Sequence, residues 1–345
     1  MNLQKLQTTL DEMGQASYRL AQAKRAFYTE LAADWDALSV FPKALRDKLR
    51  VEVPWDELKI EKTQDSADGK SVKLLLVCAD GAKIESVLLR HEAGRNTVCV
   101  SSQVGCPMKC AFCATGALGF KRNLTRDEIA EQVIVFARRL KTEGTRVTNV
   151  VFMGMGEPFA NYDETLGAAR ILNDHEGFDL GARHMTISTC GLVPGIKKFS
   201  HEPLQINLAI SLHSAIPETR LQIMPVEKAY PLKDLMAAVD EYADKTNRKV
   251  LFEYLLLDGV NDSPRDAQAL INLLKHNLRL YQVNLIKYHD TGVFKATPLE
   301  KRQAFMDKLK QAGILVTFRV SFGEDINAAC GQLAGEGKGK RVSSE

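Results

Sequence analysis

The chain has 345 residues, of which 45% are hydrophobic and 26% are charged, and its formal net charge is +3. This length and composition predict a globular protein with a sizeable core. No run of about 18 apolar residues predicts a membrane span, and the first residues lack a signal-peptide core, so we expect a cytoplasmic protein without a membrane partner. Its seven cysteines are unevenly spaced, unlike a secreted disulfide framework.

The first part of the chain is rich in alanine, leucine, lysine and arginine, and it predicts a small helical domain over residues 1–55. Three helices are expected there, over residues 4–13, 17–33 and 42–51. Their basic residues are typical of a solvated helical face.

A linker and a β-hairpin extension are predicted over residues 56–95. Two apolar-alternating runs, 73–78 and 83–89, are separated by Ala-Asp-Gly, and Asp-Gly is a strong hairpin signal. We therefore expect two antiparallel strands before the main domain.

From residue 96, strand-like runs alternate with helix-like segments, which predicts an α/β domain over residues 96–333. The expected strands are 97–101, 149–153, 184–189, 206–212, 250–257, 282–286 and 314–320. The expected helices are 125–140, 162–172, 232–246, 264–276 and 298–312. Repeated βα units favour a parallel sheet whose chemistry lies at the carboxyl ends of its strands. Residues 334–345 predict a basic, disordered tail.

Cys106, Cys110 and Cys113 form a CxxxCxxC motif after the first strand of this domain. Three thiolates at this spacing can hold three irons of a cubane cluster and leave the fourth iron open to a small cofactor. A zinc site is the alternative, but zinc usually needs paired CxxC motifs or a fourth Cys or His, and no second motif exists. The motif therefore favours a [4Fe-4S] cluster.

Polar residues follow the next three strands as well. The sequence Met-Gly-Met-Gly-Glu-Pro comes after the second strand, where glycine permits close backbone approach and the glutamate can accept hydrogen bonds from an ammonium group. Each segment alone is also compatible with an ordinary strand-to-helix turn, but their shared placement favours one cofactor pocket. The cofactor-binding residues predicted at these strand ends are Gly156, Glu157, Ser188, Ser211, Leu212 and His213.

Two isolated cysteines flank this pattern. Cys99 lies on the first strand of the domain, and Cys330 lies in a glycine-flanked loop after the last strand. Both are unremarkable if they are buried free thiols. A thiolate in a mobile loop at the mouth can also take a methyl group from a sulfonium by displacement.

These motifs resemble those of the RlmN/Cfr family of radical S-adenosylmethionine (SAM) methyltransferases. The resemblance covers nearly the whole chain, and the segments that carry it are 101–116, 120–125, 152–158, 208–213, 259–263 and 328–333. It implies a partial (βα)6-type TIM-like radical SAM barrel. It also implies that the helical domain at 1–55 is an RNA-binding accessory domain.

The resemblance implies methylation of an adenosine in 23S rRNA, at carbon 2 for RlmN-type enzymes and at carbon 8 for Cfr-type enzymes. RlmN-type members also act on tRNA, and Phe120 and Phe159 favour this type. The implied cofactors are a [4Fe-4S] cluster and two SAM molecules per turnover, with flavodoxin or ferredoxin as reductant, and we expect a monomer. The alternatives are Cfr-like methylation of carbon 8 or of another RNA, and a non-catalytic metal- or RNA-binding protein.

The resemblance also implies a route. One SAM methylates Cys330, and a second SAM yields a 5′-deoxyadenosyl radical that takes a hydrogen from that methyl group. The carbon radical adds to adenine, a base removes the ring proton, and Cys99 attacks Cys330 to form a disulfide and release the product. Glu85 matches the family's proton acceptor, although an exposed glutamate in a hairpin is otherwise commonplace.

The chain departs from the family pattern in two segments. Leu-Ile-Lys-Tyr-His follows the sixth strand where the family has Leu-Ile-Pro-x-Asn, so Lys287 replaces proline and His289 replaces an asparagine that contacts SAM. We expect His289 to bind SAM because imidazole can donate or accept a hydrogen bond. Lys287 can alternatively contact phosphate near the mouth. Glu227 stands where the family has a second asparagine.

Overall fold

A computed structural model of the chain describes residues 1–319 and 322–333. The predicted tail at 334–345 and the end of the strand predicted over 314–320 lie outside these residues. The strands are β1 Leu58–Asp65, β2 Ser71–Cys78, β3 Lys83–Arg90, β4 Asn96–Cys99, β5 Gln103–Gly105, β6 Phe120–Asn123, β7 Asn149–Phe152, β8 Met185–Thr189, β9 Asn207–Ser211, β10 Val250–Leu256, β11 Tyr281–Lys287 and β12 Leu315–Phe318. The α-helices are α1 Leu3–Glu12, α2 Tyr18–Tyr28, α3 Lys43–Glu52, α4 Ala114–Leu118, α5 Arg126–Thr142, α6 Tyr162–Asn173, α7 Val193–Phe199, α8 Pro217–Ile223, α9 Leu232–Thr246, α10 Pro264–Leu274 and α11 Leu299–Gln311.

Ten strands form one mixed sheet in the order β1-β2-β3-β4-β7-β8-β9-β10-β11-β12. The pairs from β1 to β4 are antiparallel, and the pairs from β4 to β12 are parallel. Among the described residues β1 and β12 are the edges, so the parallel part is an open, partial barrel. This arrangement confirms the predicted α/β class and places the carboxyl ends of the parallel strands along one rim.

The main core fills the space between the parallel strands and their helices. Leu208 and Ile210 of β9 are fully buried, as are Val239 of α9 and Val133 of α5. Strands covered on both faces need such continuous apolar runs, which explains why the sequence shows these strands clearly. The predicted capping box at Thr125 is present and begins α5.

The amino-terminal helices pack around two tryptophans. The rings of Trp35 and Trp55 meet edge to face at 4.8 Å, and Ile134 of α5 joins the same apolar cluster. The second helix ends at Tyr28, five residues before the predicted end. The carbonyl of Arg25 accepts the amides of residues 29 and 30, and Leu31 then adopts a φ of 54°, which ends the helical path.

Strand β1 and the small β5–β6 sheet were not expected from the sequence. Strand β1 forms an edge and exposes both faces, so it lacks period-two hydrophobicity. Strands β5 and β6 have only three and four residues. Within the part of the chain that the structure describes, no helix is long and apolar enough to cross a membrane.

Candidate active site

A cavity opens at the carboxyl ends of the parallel strands, and most of the predicted site residues line it. It is bordered by the cysteine loop, by the turns after β7, β8 and β9, and by the segment that carries Cys330. The predicted residues in its lining are Cys106, Cys110, Cys113, Gly156, Glu157, Ser188, Ser211, His213 and Cys330. The sequence therefore located one common pocket.

The cysteine loop is fixed by backbone hydrogen bonds. The amide of Cys106 donates to the Gly119 carbonyl at 3.0 Å, and the amide of Ala111 donates to the Ile223 carbonyl at 2.9 Å. Burial raises the pKa of Cys106 to about 12 and also raises the pKa values of Cys110 and Cys113. The thiols are therefore protonated at neutral pH until a cation binds, and metal binding would release protons.

The turn after β7 brings the backbone close to the cavity. Gly156 has a φ of 105°, and a Cβ atom there would lie 2.6 Å from the Cβ of Gln103. The neighbouring Glu157 is 3% exposed, and its carboxylate accepts the amides of Phe159 at 2.9 Å and Cys190 at 2.8 Å. Burial raises the pKa of Glu157 despite these bonds. A buried carboxylate in this position suits a cationic partner.

Two serines and a histidine follow β8 and β9. The hydroxyls of Ser188 and Ser211 lie 3.1 Å apart. The Nδ1 atom of His213 accepts the amide of Leu255 at 3.0 Å, and burial lowers the pKa of His213 to about 3. The imidazole is thus neutral and stacks edge to face on Phe112 at 4.8 Å. Neutral donors and acceptors of this kind suit hydroxyl and carboxylate groups of a ligand.

A buried ion pair supports these strand ends from behind. Arg220 is fully buried and pairs with Glu227, the residue that departs from the family asparagine. The guanidinium also donates to the carbonyls of Cys190 at 2.7 Å and Leu212 at 3.2 Å, and Glu227 accepts the amide of Leu232 at 2.8 Å. Glu227 thus has a partner for its charge, as a buried carboxylate requires.

Four predicted site residues do not line the cavity: Cys99, Glu85, Leu212 and His289. Leu212 is fully buried, and its amide donates to the carbonyl of Glu253 at 3.0 Å. The side chain of His289 is 4% exposed, and its Nδ1 atom lies 3.7 Å from Glu324. Lys287, which we considered a phosphate contact, donates to both carboxylate oxygens of Glu324 at 2.9 Å.

Glu85 and Cys99 lie on neighbouring strands beside the cavity. Glu85 is 6% exposed, which differs from the exposed hairpin glutamate that the sequence suggested, and its carboxylate lies 3.1 Å from Lys73 Nζ. The same Lys73 Nζ donates to the carbonyl of Asn327 at 3.2 Å, three residues before Cys330. Burial, followed by the nearby Cys330, raises the pKa of Cys99 to about 12.

Sequence reasoning missed two charged residues in the lining, Glu253 and Arg319. Glu253 is 3% exposed and accepts a hydrogen bond from Asn284 at 2.9 Å, and burial raises its pKa. Arg319 follows β12, lies 4.0 Å from Glu253, and has Cys330 and Cys99 as electrostatic neighbours. Glu253 could have been recognised from the sequence, because it is a lone glutamate within the apolar run of β10. A glutamate in a strand covered on both faces is rarely buried unless it has a partner.

Comparisons with known proteins agree with this geometry. Residues 100–274 match the model of the radical SAM superfamily. A protein of Chloroflexus aurantiacus, described as a probable dual-specificity RNA methyltransferase RlmN, is 46% identical over 97% of this chain and 91% of its own length. The chain belongs to the RlmN family of radical SAM methyltransferases. A Bacillus cereus relative with the same RlmN description is 43% identical over 96% of this chain and 91% of its own length.

The RlmN-type fold is also found in a solved structure. A radical SAM methyltransferase from Sphaerobacter thermophilus has a TM-score of 0.93 and 43% identity, and the match covers 97% of this chain and 98% of that one. The match includes the amino-terminal helices as well as the barrel. Membership of the RlmN family implies a [4Fe-4S] cluster and SAM as cofactors.

Proposed function

We propose that the chain methylates carbon 2 of an adenosine in 23S rRNA, and of an adenosine in tRNA, through a methyl group carried on Cys330. Relatives described as dual-specificity RNA methyltransferases support RNA as the substrate. The observation that carries the proposal is that two separate sets of thiols meet at one cavity. Cys106, Cys110 and Cys113 line one side, and Cys330 comes from a different segment of the chain.

The residues present fit a cluster and SAM. Among residues 1–319 and 322–333, no group of three His, Cys, Asp or Glu side chains is arranged to hold a single metal ion. The three cysteines border the cavity, which can accept a cluster, and Gly156 lines the same cavity. We propose that Cys106, Cys110 and Cys113 hold the cluster.

The strand ends then bind SAM. The buried carboxylate of Glu157 would accept the SAM ammonium, and Ser188, Ser211 and His213 would bind its carboxylate and ribose. Leu212 would contact SAM through its backbone. His289 would also contact SAM, although it does not line the cavity. When bound, the cluster supplies the electron that cleaves SAM to a 5′-deoxyadenosyl radical.

The thiols of the chain carry out the transfer. Cys330 takes a methyl group by displacement from the SAM sulfonium and loses its thiol proton. The 5′-deoxyadenosyl radical would take a hydrogen atom from the methyl group on Cys330, and the resulting carbon radical would add to adenine. The adduct would give up one electron to the oxidised electron carrier and its ring proton to the carboxylate of Glu85. Cys99 would then lose its thiol proton and attack the sulfur of Cys330, which forms a disulfide and breaks the bond between sulfur and carbon. The freed carbon would keep that electron pair and take up a proton. Lys73, which contacts both Glu85 and the carbonyl of Asn327, supports the placement of this base beside the Cys330 segment.

We further propose that the helices of residues 1–55 form an accessory RNA-binding domain on the barrel of residues 96–333. The exposed side chains of Lys43, Lys48 and Arg50 on α3 supply positive charge for phosphate. We also propose that a flavodoxin or ferredoxin reduces the cluster of a monomeric enzyme in a reducing cytosol. The described cysteines are free thiols, which suits that compartment.

The function is tested by nucleoside mass spectrometry after anaerobic turnover. Reconstituted enzyme is incubated with a 23S rRNA fragment or tRNA, a reductant, and SAM labelled with a trideuterated methyl group. The proposal expects 2-methyladenosine with two deuterium atoms, because the methyl group loses one to 5′-deoxyadenosine and regains one proton. Detection of 8-methyladenosine would show the Cfr-type alternative. A fully deuterated methyl group would exclude the methylated-cysteine route.

A further inference from the structure

The segment of residues 322–333, here called the Cys330 segment, is attached to the barrel near both of its ends. Near its carboxyl end, the carbonyl of Gly331 accepts the amide of Ala114 at 2.8 Å, and the carbonyl of Leu333 accepts the hydroxyl of Thr115 at 2.5 Å. These bonds tie the segment to the residues that directly follow Cys113. The carboxyl end is therefore held by the cysteine loop itself.

The amino end of the Cys330 segment is held mainly by charged side chains. Glu324 accepts two hydrogen bonds from Lys287 Nζ, both at 2.9 Å, and His289 lies 3.7 Å from the same carboxylate. Asp325 accepts the amide of Ala67 at 2.8 Å on the hairpin side. Lys287 therefore links the end of β11 directly to the Cys330 segment.

A tight turn connects Glu324 to Cys330. Gly323 has a φ of 65°, and a Cβ atom there would lie 2.8 Å from the Cβ of Ala328. The carbonyl of Gly323 accepts the amide of Ala328 at 2.8 Å and that of Ile326 at 3.3 Å. A shift of Glu324 is thus transmitted through a closed turn to a residue two positions before Cys330.

The ion pair between Lys287 and Glu324 is partly exposed, so it can stabilise the attachment of the Cys330 segment only weakly. The side chain of Lys287 is 32% exposed and that of Glu324 is 47% exposed, whereas that of His289 is 4% exposed. Hydrogen bonding from Lys287 lowers the pKa of Glu324, so the pair is charged at neutral pH. Exposed pairs contribute at most about 1 kcal/mol, which corresponds to roughly a fivefold bias in a two-state equilibrium.

We propose that Lys287 is a positioning residue that clamps Glu324 and thereby keeps Cys330 docked in the lining of the cavity. A clamp of this strength favours the docked state and still releases the segment during a catalytic cycle. The consequence for methyl transfer rests on the proposed function of Cys330. The docking of Cys330 by Lys287 does not depend on that function, because docking is measured by the accessibility of the thiol.

Alkylation of Cys330 tests the clamp directly. Reconstituted enzyme without RNA is treated anaerobically with iodoacetamide, and labelling at Cys330 is followed by peptide mass spectrometry, with buried Cys78 as internal reference. Cys330 is half-buried in the docked state, so Lys287→Met is expected to raise its labelling rate by up to about fivefold. Lys287→Arg should keep the wild-type rate. The double variant Lys287→Glu with Glu324→Lys, which restores an opposite-charge pair, should return the rate towards wild type.

A matched control separates this effect from the loss of any surface ion pair. Lys301, near the start of α11, pairs with Asp258 at 2.8 Å and lies 3.9 Å from Asp262, and neither carboxylate belongs to the Cys330 segment. Lys301→Met should leave Cys330 labelling unchanged. Equal labelling of Cys330 in wild type and Lys287→Met would overturn the clamp. Faster labelling in Lys287→Met, together with a Cys330 that never carries a methyl group in wild type, would instead support the clamp and refute the proposed function.

A second readout connects the clamp to turnover. With the clamp removed, kcat for RNA methylation should fall by less than about twofold, because a roughly fivefold rise in a minor undocked population leaves most of the enzyme docked. KM for RNA should stay within about twofold, because Lys287 positions the thiol and not the substrate. A raised KM with unchanged kcat would show that Lys287 contacts RNA phosphate instead, and would contradict the proposal.

Discussion

The two sets of thiols at the cavity are held in different ways. The loop of residues 106–113 is fixed by backbone hydrogen bonds to Gly119 and to the buried Ile223. The amino end of the Cys330 segment is held by side chains, of which Glu324 and Lys287 are partly exposed. Backbone contacts of this kind suit ligands that must keep one geometry. Side-chain contacts suit a thiol that must meet several partners in turn.

The largest expected effect comes from removing the thiol of Cys330. Cys330→Ala should abolish methylation of RNA and leave the iron content and the charge-transfer absorption of the protein unchanged. Cys110→Ala should instead lose iron. Cys78→Ala, which removes a buried thiol of β2 that does not line the cavity, is the control and should keep both. Methylation of RNA by Cys330→Ala would show that Cys330 does not carry the methyl group, and its role would then no longer differ from that of an ordinary thiol at the cavity.

The resolving role proposed for Cys99 predicts a second strong effect. In Cys99→Ala the covalent link between Cys330 and the adenine should persist, because no thiol attacks the sulfur. A denaturing gel after turnover should show a protein–RNA adduct that disappears in the double variant with Cys330→Ala. Recovery of free RNA alone would show that the disulfide step is not needed.

A smaller effect is expected from the glycine that approaches the cofactor pocket. Gly156→Ala would place a Cβ atom 2.6 Å from Gln103 Cβ at a φ of 105°, so the turn must shift. SAM affinity should fall by about 1–3 kcal/mol, while the cysteine loop keeps its iron. Gly259→Ala is the control, since its φ is 70° but a Cβ atom there meets nothing within 4 Å. Equilibrium dialysis with labelled SAM measures the affinity of both variants. Equal affinities for Gly156→Ala and Gly259→Ala would contradict the importance of the tight packing of Gly156 against Gln103.

The smallest effect concerns the pH dependence of stability. The folded-state pKa of His213 is lowered to about 3, so between pH 6.5 and pH 3 the unfolded chain binds a proton that the folded chain does not. Stability should therefore fall as pH decreases, by about 2 kcal/mol between neutral pH and pH 5. Anaerobic urea titrations should show that His213→Gln reduces this loss. The exposed His175→Gln serves as control and should retain the full loss.

Much of the fold was predictable because parallel strands covered on both sides need continuous apolar runs. The seven strands and the capping box of α5 follow from this pattern and from local hydrogen bonding. Strand β1 was missed because an edge strand with two exposed faces has no hydrophobic period. The length of α2 was overestimated because the turn at Leu31 depends on tertiary packing.

The sequence predicted the site residues that belong to recognisable motifs at strand ends. It did not predict Glu253, which lies within β10, or Arg319, which directly follows β12. Strand ends converge in any such sheet, which brought Glu157, Ser188 and His213 to one cavity. Arg319 escaped notice because an arginine after a strand is usually solvated. The partnership of Lys287 with Glu324 was also hidden, since a surface ion pair between distant segments leaves no local pattern.

The order of the site along the chain has a consequence for synthesis. The cysteines of the loop end at position 113, and Cys330 lies 217 residues later. At ribosomal speeds of about 5–20 residues per second, the nascent chain exposes the loop roughly 10–40 s before the last thiol appears. The proposed cluster ligands are therefore available to iron before the thiol that is proposed to carry the methyl group has been synthesised.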